Sequence, residues 1–344
     1  MRVLVDVSHP AHVHLFRNAV TELDDRGHEV RVVSREKDVT TDLLDAYGID
    51  HVPLSAKAGG GVAGTAREWT ARGARLLRLA VDFRPDVVLS RLNPTAAYVS
   101  RLLGVPNVVF HDTEQAGLLD RATTPFASVV CTPAEFARDV GDHQLRYEGY
   151  HELAYLHPAR FEPDPRRLTD AGVDPDEPFS VVRLVEWTAH HDAGAAGFGP
   201  DTVRELVDRL GESGAVYLSS EADLPADLAD YEAPVASDAV LDLLAYADCY
   251  VGDSGTMATE AALLATPTVR YDPYDASMGN FETLADLGLV DSRADERAAV
   301  ERAVSLAADP DAGGRWRRRR RRLLGEKVDV TAFMVELVEE VGGS

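Results

Sequence analysis

Lysine is almost absent from this 344-residue chain. It stands only at Lys37, Lys57 and Lys327, so 32 of the 35 basic residues are arginine. Acids outnumber bases 58 to 35, a formal net charge of −23, so no broad cationic face can form to neutralise a nucleic-acid backbone. Nucleic acid is therefore not an expected partner. Cysteine is scarce as well: Cys131 and Cys249 lie far apart and outside any ligand motif, so neither a disulfide framework nor a zinc pattern is readable. Long hydrophobic runs are also missing. No stretch approaches the ~18 uninterrupted apolar residues of a membrane span, and the opening MRVLVDVSHP reaches an aspartate too early for a signal peptide. A cytoplasmic protein is expected. An acidic composition nearly free of lysine is the pattern of a high-salt cell, where screening relieves self-repulsion and carboxylates hold water.

Apolar residues make up 45% of the chain and charged residues 27%, enough material for two ordinary domains. RVLVDV at 2–7 reads as a buried strand, HLFRNAVTELDDRG as an amphipathic helix closing at Gly27, and HEVRVVSR as a second strand. A Gly-rich stretch at 59–64 precedes a long helix from about 65 to 82. PDVVLS, TAAYVSRLLG, PNVVFHD and SVVCTP continue the rhythm. Residues 1–158 are expected as a first domain and the Pro/Asp-rich stretch 159–178 as a linker. A second domain, 179–325, runs through FSVVRLV, TVRELVDRLGESG, AVYLSS, DAVLDLLAYADC, YVGDSG, TMATEAALLA and PTVRYD. VDVTAFMVELVEEV, within 326–344, is an amphipathic terminal helix. This alternation predicts an α/β protein of two Rossmann-like domains whose ligands meet the carboxyl ends of parallel strands, across a cleft.

Four segments could carry chemistry. In YVGDSGTMATEAALLATPTVRYD (250–272) a buried strand runs into Asp253, Ser254 and Gly255, and a helix starts near Thr256. Small residues let backbone approach a ligand there, and the helix start favours an anion such as a diphosphate. Glu260, one turn on, could accept the hydroxyls of a ribose; an ordinary capped helix is the plain alternative. In SHPAHVHLF, His9, His12 and His14 crowd the loop after the first strand. One imidazole could serve as general base near neutral pH, while a three-histidine metal site lacks a recognisable spacing; capping and packing are the plain alternative. VVFHDTEQAGLLDR (108–121) ends a strand with His111, Asp112, Glu114 and Gln115, and Asp112 and Glu114 either face the ligand or belong to a solvated loop. VVRLVEWTAHHDAGAAGFG (181–199) places Arg183 on a strand and His190 and His191 in a Gly/Ala-rich loop, suited to a diphosphate and its sugar. Arg315–Arg322 (RWRRRRRR) is a candidate peripheral membrane contact at the inner face, with Trp316 beside it, or else a helix whose arginines pair with acids.

GDSGTMATEAALLATP resembles the donor motif of the GT-B superfamily, which holds many glycosyltransferases and the non-hydrolysing UDP-N-acetylglucosamine 2-epimerases. The resemblance implies that Ser254, Gly255 and Thr256 hold the donor diphosphate and Glu260 its ribose. The SHPAHVH loop is similar to that of the N-acetylglucosaminyltransferase completing lipid II, which puts His12 at the base or acceptor-site position, with His9 as helper. HDTEQAG partly resembles the His–x–Glu–Ala–Gly–x–Arg run of the 2-epimerases. Together with GYHELAYLHP (149–158) and RLVEW…HHD, these segments identify the chain as similar to a family of predicted glycosyltransferases, domain of unknown function 354. The resemblance implies a GT-B fold, a terminal helix crossing back to the first domain, and no metal or other cofactor, since helix N-termini and basic side chains serve the diphosphate. The partners implied are a nucleotide-sugar donor, UDP first among them, and a glycan or lipid-linked acceptor. Epimerisation at C2 is an alternative, although PDVVLSRLNPT supplies no aspartate after its strand; a catalytically silent sugar-nucleotide or glycan binder is another.

Overall fold

A computed structural model describes residues 1–36, 38–56, 61–185, 197–220, 222–273 and 279–343. The chain forms two compact units, Met1–Arg160 with Val328–Ser344, and Phe161–Lys327.

The first unit is built on strands β1 (Arg2–Val7), β2 (Glu29–Glu36), β3 (His51–Ala56), β4 (Val87–Arg91), β5 (Asn107–Phe110), β6 (Val129–Pro133) and β7 (Gln144–Tyr147). Helices α1 (Pro10–Asp25), α2 (Asp38–Ala46), α3 (Gly61–Phe83), α4 (Pro94–Leu103), α5 (Gly117–Thr123) and α6 (Leu153–Leu156) accompany them. The strands make one sheet in the order β3-β2-β1-β4-β5-β6-β7, and every pairing is parallel. Parallel strands covered on both faces must be apolar throughout, and Val3, Leu4, Val5, Val87, Val88, Leu89, Val108 and Val109 are all buried. Successive strands step outward from β1 in one direction as far as β3, then restart on the other side with β4, so the strand order reverses between β1 and β4. That reversal opens a crevice at the carboxyl ends of β1 and β4. α3 begins at Gly61, inside the Gly-rich stretch expected to precede it; a long amphipathic continuation offsets the poor helix propensity of glycine.

The second unit begins with α7 (Pro165–Asp170) and continues through β8 (Phe179–Leu184), α8 (Pro200–Gly211), β9 (Ala215–Ser220), α9 (Val240–Tyr246), β10 (Cys249–Gly252), α10 (Gly255–Leu264), β11 (Thr268–Tyr271), α11 (Gly279–Asp286), β12 (Val290–Arg293), α12 (Glu296–Ala307) and α13 (Ala312–Leu324). Its sheet is parallel with the order β12-β11-β10-β8-β9, and the order reverses between β8 and β10. Helix α7 lies within the stretch expected as linker. Asp164 caps it and Pro165 starts it, Leu168 is buried, and Arg167 bonds to Asp242 of α9 at 3.1 Å. Its proline and aspartates are helix-start signals as well as linker composition.

The arginine run forms α13, and its tryptophan does not sit where a membrane anchor would. Trp316 is 1% exposed and donates its indole N–H to the Leu289 carbonyl at 2.8 Å. Arg319 stacks on that ring at 4.7 Å and donates to the Gly288 carbonyl, Arg320 donates to the Leu263 carbonyl, and Arg315 pairs with Asp309. Only Arg317, Arg318, Arg321 and Arg322 of the run face solvent.

The last helix, α14 (Val330–Gly342), packs against α1, α6 and β4 of the first unit. Asp329 caps it through the Thr331 and Ala332 amides. Arg160 joins Asp329 to Glu22 of α1, both at 2.7 Å, and the Thr331 hydroxyl donates to the Ala154 carbonyl at 2.6 Å. Val330, Met334, Val335 and Val338 are fully buried. A Cβ at Gly149 would lie 2.8 Å from Val330, so glycine is required for this close approach.

Candidate active site: a polar cluster in each unit

In the first unit, β1 delivers Ser8 and His9 at its carboxyl end. His9 is extended and caps α1, its Nδ1 accepting the Ala11 amide at 3.2 Å, with Pro10 fixing the first turn. One turn on, His12 accepts the Ser8 backbone amide at Nδ1, at 3.4 Å, with the Ser8 hydroxyl 3.5 Å from the same nitrogen. Burial, then Arg91 and His9, hold the His12 imidazole well below its ordinary pKa, so it is neutral. Below it, buried Asp6 of β1 bonds Asn93 and Arg72, both at 2.8 Å, and Asn93 caps α4. This carboxylate thus ties β1, α3 and the start of α4 at the switch point.

Two further strands reach the same place. Arg91, the last residue of β4, pairs with Asp112, which follows β5. Asp112 also lies 2.7 Å from Nδ1 of His151. Burial would raise the Asp112 pKa, but Arg91, His151 and Thr113 overcome it and keep the carboxylate ionised, well below its ordinary range. His151 is 3% exposed. Burial lowers its pKa further than Asp112 restores it. Its Nδ1 is close to the Asp112 carboxylate without a well-aligned hydrogen bond, and neither ring nitrogen has a hydrogen-bond partner among the described residues. Arg91, Asp112 and His151 all act on the charge of His12, and Asp112 and Arg91 act on that of His151. They form one acid–base cluster.

The remaining expected residues of this unit divide. Glu114 accepts the Ala137 amide at 3.3 Å and its carbonyl accepts from Arg138, so it fastens the loop after β6 instead of joining His12. His14 lies against Tyr155 and Tyr47, ring centres 5.2 and 5.8 Å away, apart from any three-histidine site. His111 is fully buried against Phe136. His151 and Arg91 escaped the sequence reading; GYHELAYLHP pointed at the segment but not at the imidazole, whose carboxylate partner is distant in the chain.

In the second unit, Arg183 of β8 donates to the Ser219 hydroxyl of β9 at 2.9 Å. Neighbouring β10 ends in Gly252, where a Cβ would lie 2.6 Å from the Tyr250 hydroxyl and 2.8 Å from the Arg183 carbonyl; no other residue fits. Asp253 accepts the Val185 amide at 2.8 Å. Ser254 caps α10, its Oγ accepting the Met257 amide at 3.3 Å, and Thr256 is exposed in the first turn. Among the described residues the Gly255 and Thr256 amides have no acceptor, and with the helix dipole they could receive an anion. Glu260, one turn beyond Thr256, is 6% exposed. Arg270 of β11 was not anticipated. It pairs with Asp272 at 2.7 Å and lies 3.9 Å over the Phe281 ring, the ring that in turn packs 3.5 Å from where a Gly255 Cβ would be. Burial lowers the Arg270 pKa despite Asp272. Burial raises the Tyr250 pKa, and Asp253, Arg183, Glu260 and Arg270 all act on it as well, so these groups share one neighbourhood at the β8/β10 switch point. His190 and His191 lie outside the described residues.

The fold is shared with solved structures over the whole chain. The UDP-GlcNAc 2-epimerase of Neisseria meningitidis bound to UDP-GlcNAc has a TM-score of 0.71 at 12% identity, covering 99% of this chain and 100% of that one. The glycosyltransferase VinC in complex with dTDP gives 0.65 at 14%, covering both chains fully. The kitacinnamycin glycosyltransferase gives 0.62 at 17%, covering 99% and 98%. The architecture is the two-domain GT-B fold of these enzymes. An uncharacterized protein of Methanocaldococcus jannaschii is 23% identical over 294 residues, 79% of this chain and 82% of that protein. A family model described as "Protein of unknown function (DUF354)" matches residues 1–341, and the chain belongs to that family.

Proposed function

We propose that the protein is a metal-independent glycosyltransferase that moves a sugar from a nucleotide donor, UDP-linked first among the candidates, to the hydroxyl of a glycan or lipid-linked acceptor. The observation that carries this reading is the α10 start at the β8/β10 switch point, with Gly252 held side-chain-free and Arg183 and Arg270 beside it. Such a seat stabilises the charge that develops on a departing diphosphate. Ser254, Gly255 and Thr256 would hold the diphosphate and Glu260 the ribose. His12 would take the acceptor proton. That role needs the tautomer with the proton on Nδ1, which exchanges the bond accepted from the Ser8 amide for one donated to the Ser8 hydroxyl and leaves Nε2 with its lone pair. Asp112 and Arg91 would orient the acceptor side, with His9 capping the loop.

A second reading is favoured by the Asp112–His151 pair: an acid–base dyad of this kind could move a proton at a sugar carbon, as epimerisation at C2 requires. The experiment is a thermal-shift screen of nucleotide sugars in molar salt, followed by turnover with and without acceptor. Transfer is expected with acceptor present and no epimer without it. His12→Ala is expected to cut transfer by about 10²-fold or more, and Glu260→Ala to weaken donor binding. Intact turnover in both variants overturns the assignment, and an epimer formed from the donor alone favours the second reading.

A further inference from the structure

Helices α3 and α4 leave a groove between them on the first unit, about 340 Å³ in volume. Its walls are apolar, and large side chains stand open to solvent along it: Trp69 is 42% exposed, Tyr98 46% and Leu102 70%. Phe126 meets Tyr98 edge to face at 4.9 Å, and neighbouring α5 adds Leu118 at 82% exposure. Water-facing helices ordinarily turn such residues inward, and a contiguous cluster of them marks an interaction surface.

The charge around this groove runs against the composition of the chain. On described residues 69–83 of α3, on α4 and on α5, the exposed charged side chains are Arg75, Arg78, Arg101 and Arg121 against Asp82 alone, in a chain with 58 acids to 35 bases; of these, Arg75 turns away from the groove to bond the Leu54 carbonyl at 2.6 Å. Arg78, Arg101 and Arg121 have no ion-pair partner among the described residues. Leucine, aromatic rings and unpaired arginine on these three helices, with a single exposed acid beside them, complement an environment that is apolar inside and anionic at its edge. A second copy of the chain fits poorly, because a two-fold contact would set this arginine rim against itself.

We propose that the α3–α4–α5 face of the first unit seats the protein on an anionic lipid bilayer. Leu102 and Leu118 enter the acyl boundary, Trp69 and Tyr98 lie at headgroup depth, and the arginines reach lipid phosphates. Helix α13 is a weaker candidate: its outer arginines are exposed, but Trp316 and Leu323 are buried, so it offers charge without apolar surface. The proposal is independent of the glycosyl-transfer reading. The groove opens at Pro94 and Thr95, directly after Arg91 and Asn93, so a bilayer held there lies beside the first unit's polar cluster.

The test is flotation of the full chain with vesicles of phosphatidylglycerol and phosphatidylcholine in equal parts, and with phosphatidylcholine alone. Strong flotation is expected with the anionic vesicles. Leu102→Asp and, independently, Trp69→Ser should abolish it with unchanged circular dichroism, and Arg101→Gln should weaken vesicle affinity by about fivefold. Arg317→Gln with Arg318→Gln should leave it unchanged. The proposal is overturned by absent flotation with anionic vesicles, by Leu102→Asp and Trp69→Ser floating like the parent, or by loss of binding only in the α13 variant. A dimer that Leu102→Asp converts to monomer, without vesicle binding, would also overturn it and assign the face to a second copy.

Discussion

Burial keeps His12 neutral at physiological pH, and Arg91 and His9 reinforce it. A base with that environment is already deprotonated well into the acid range, so kcat/KM for the proposed transfer should stay flat above pH 6.5 and decline only below it. A pH–rate profile checks this; a break at or above 6.5 would mean that another group is the base. His111 bears on stability instead. Its pKa is lowered to about 4, chiefly by burial, while the unfolded chain titrates near 6.5. The unfolded state therefore binds the proton first as pH falls, and stability present above 6.5 is lost towards 4, at up to about 1.4 kcal/mol per pH unit. Denaturant titrations at pH 7 and pH 5 should show this loss, and His111→Phe should reduce it. His12 was legible because a strand, a proline turn and a helix start are all local. His151 and Arg91 were not, since both acquire their meaning from Asp112 in a distant segment, and Arg270 was not, since it acquires its meaning from Phe281 and the end of β10.

Among elements, α13 shows how a charge run misleads. Read along the chain, RWRRRRRR is a cationic patch with an aromatic beside it. In the fold, the same helix has an inner face, where Trp316, Arg319 and Arg320 satisfy carbonyls of other elements, and an outer face exposed to solvent. Trp316→Ala should cost on the order of 3–5 kcal/mol and lower the melting temperature, while Arg317→Ala and Arg318→Ala should stay within about 0.5 kcal/mol. The central strands and their helices were readable from apolar periodicity. The strands missed, β7 and β12, are edge strands of four residues: QLRY and VDSR carry too little apolar pattern to be seen without the neighbour that pairs with them.

For the whole molecule, the parallel sheets and their two reversals of strand order followed from the alternation of strand and helix, and they account for where both clusters lie. The return of the terminal helix to the first domain was what the family resemblance implied; its amphipathic pattern says only that it needs a surface to cover. That surface belongs to the first unit, whose core takes Val330, Met334, Val335 and Val338. A chain ending at Lys327 should therefore keep the unfolding transition of the second unit and lose or greatly lower that of the first, as calorimetry would show. The order of synthesis adds a further consequence. Most of the first unit leaves the ribosome before the second, yet the helix that completes it emerges only after the entire second unit. Proteins usually fold from the amino terminus as they are made; this one must carry an open apolar trough through most of its translation. The second unit, contiguous from Phe161 to Lys327, can close first, so the half made later is the half that finishes earlier.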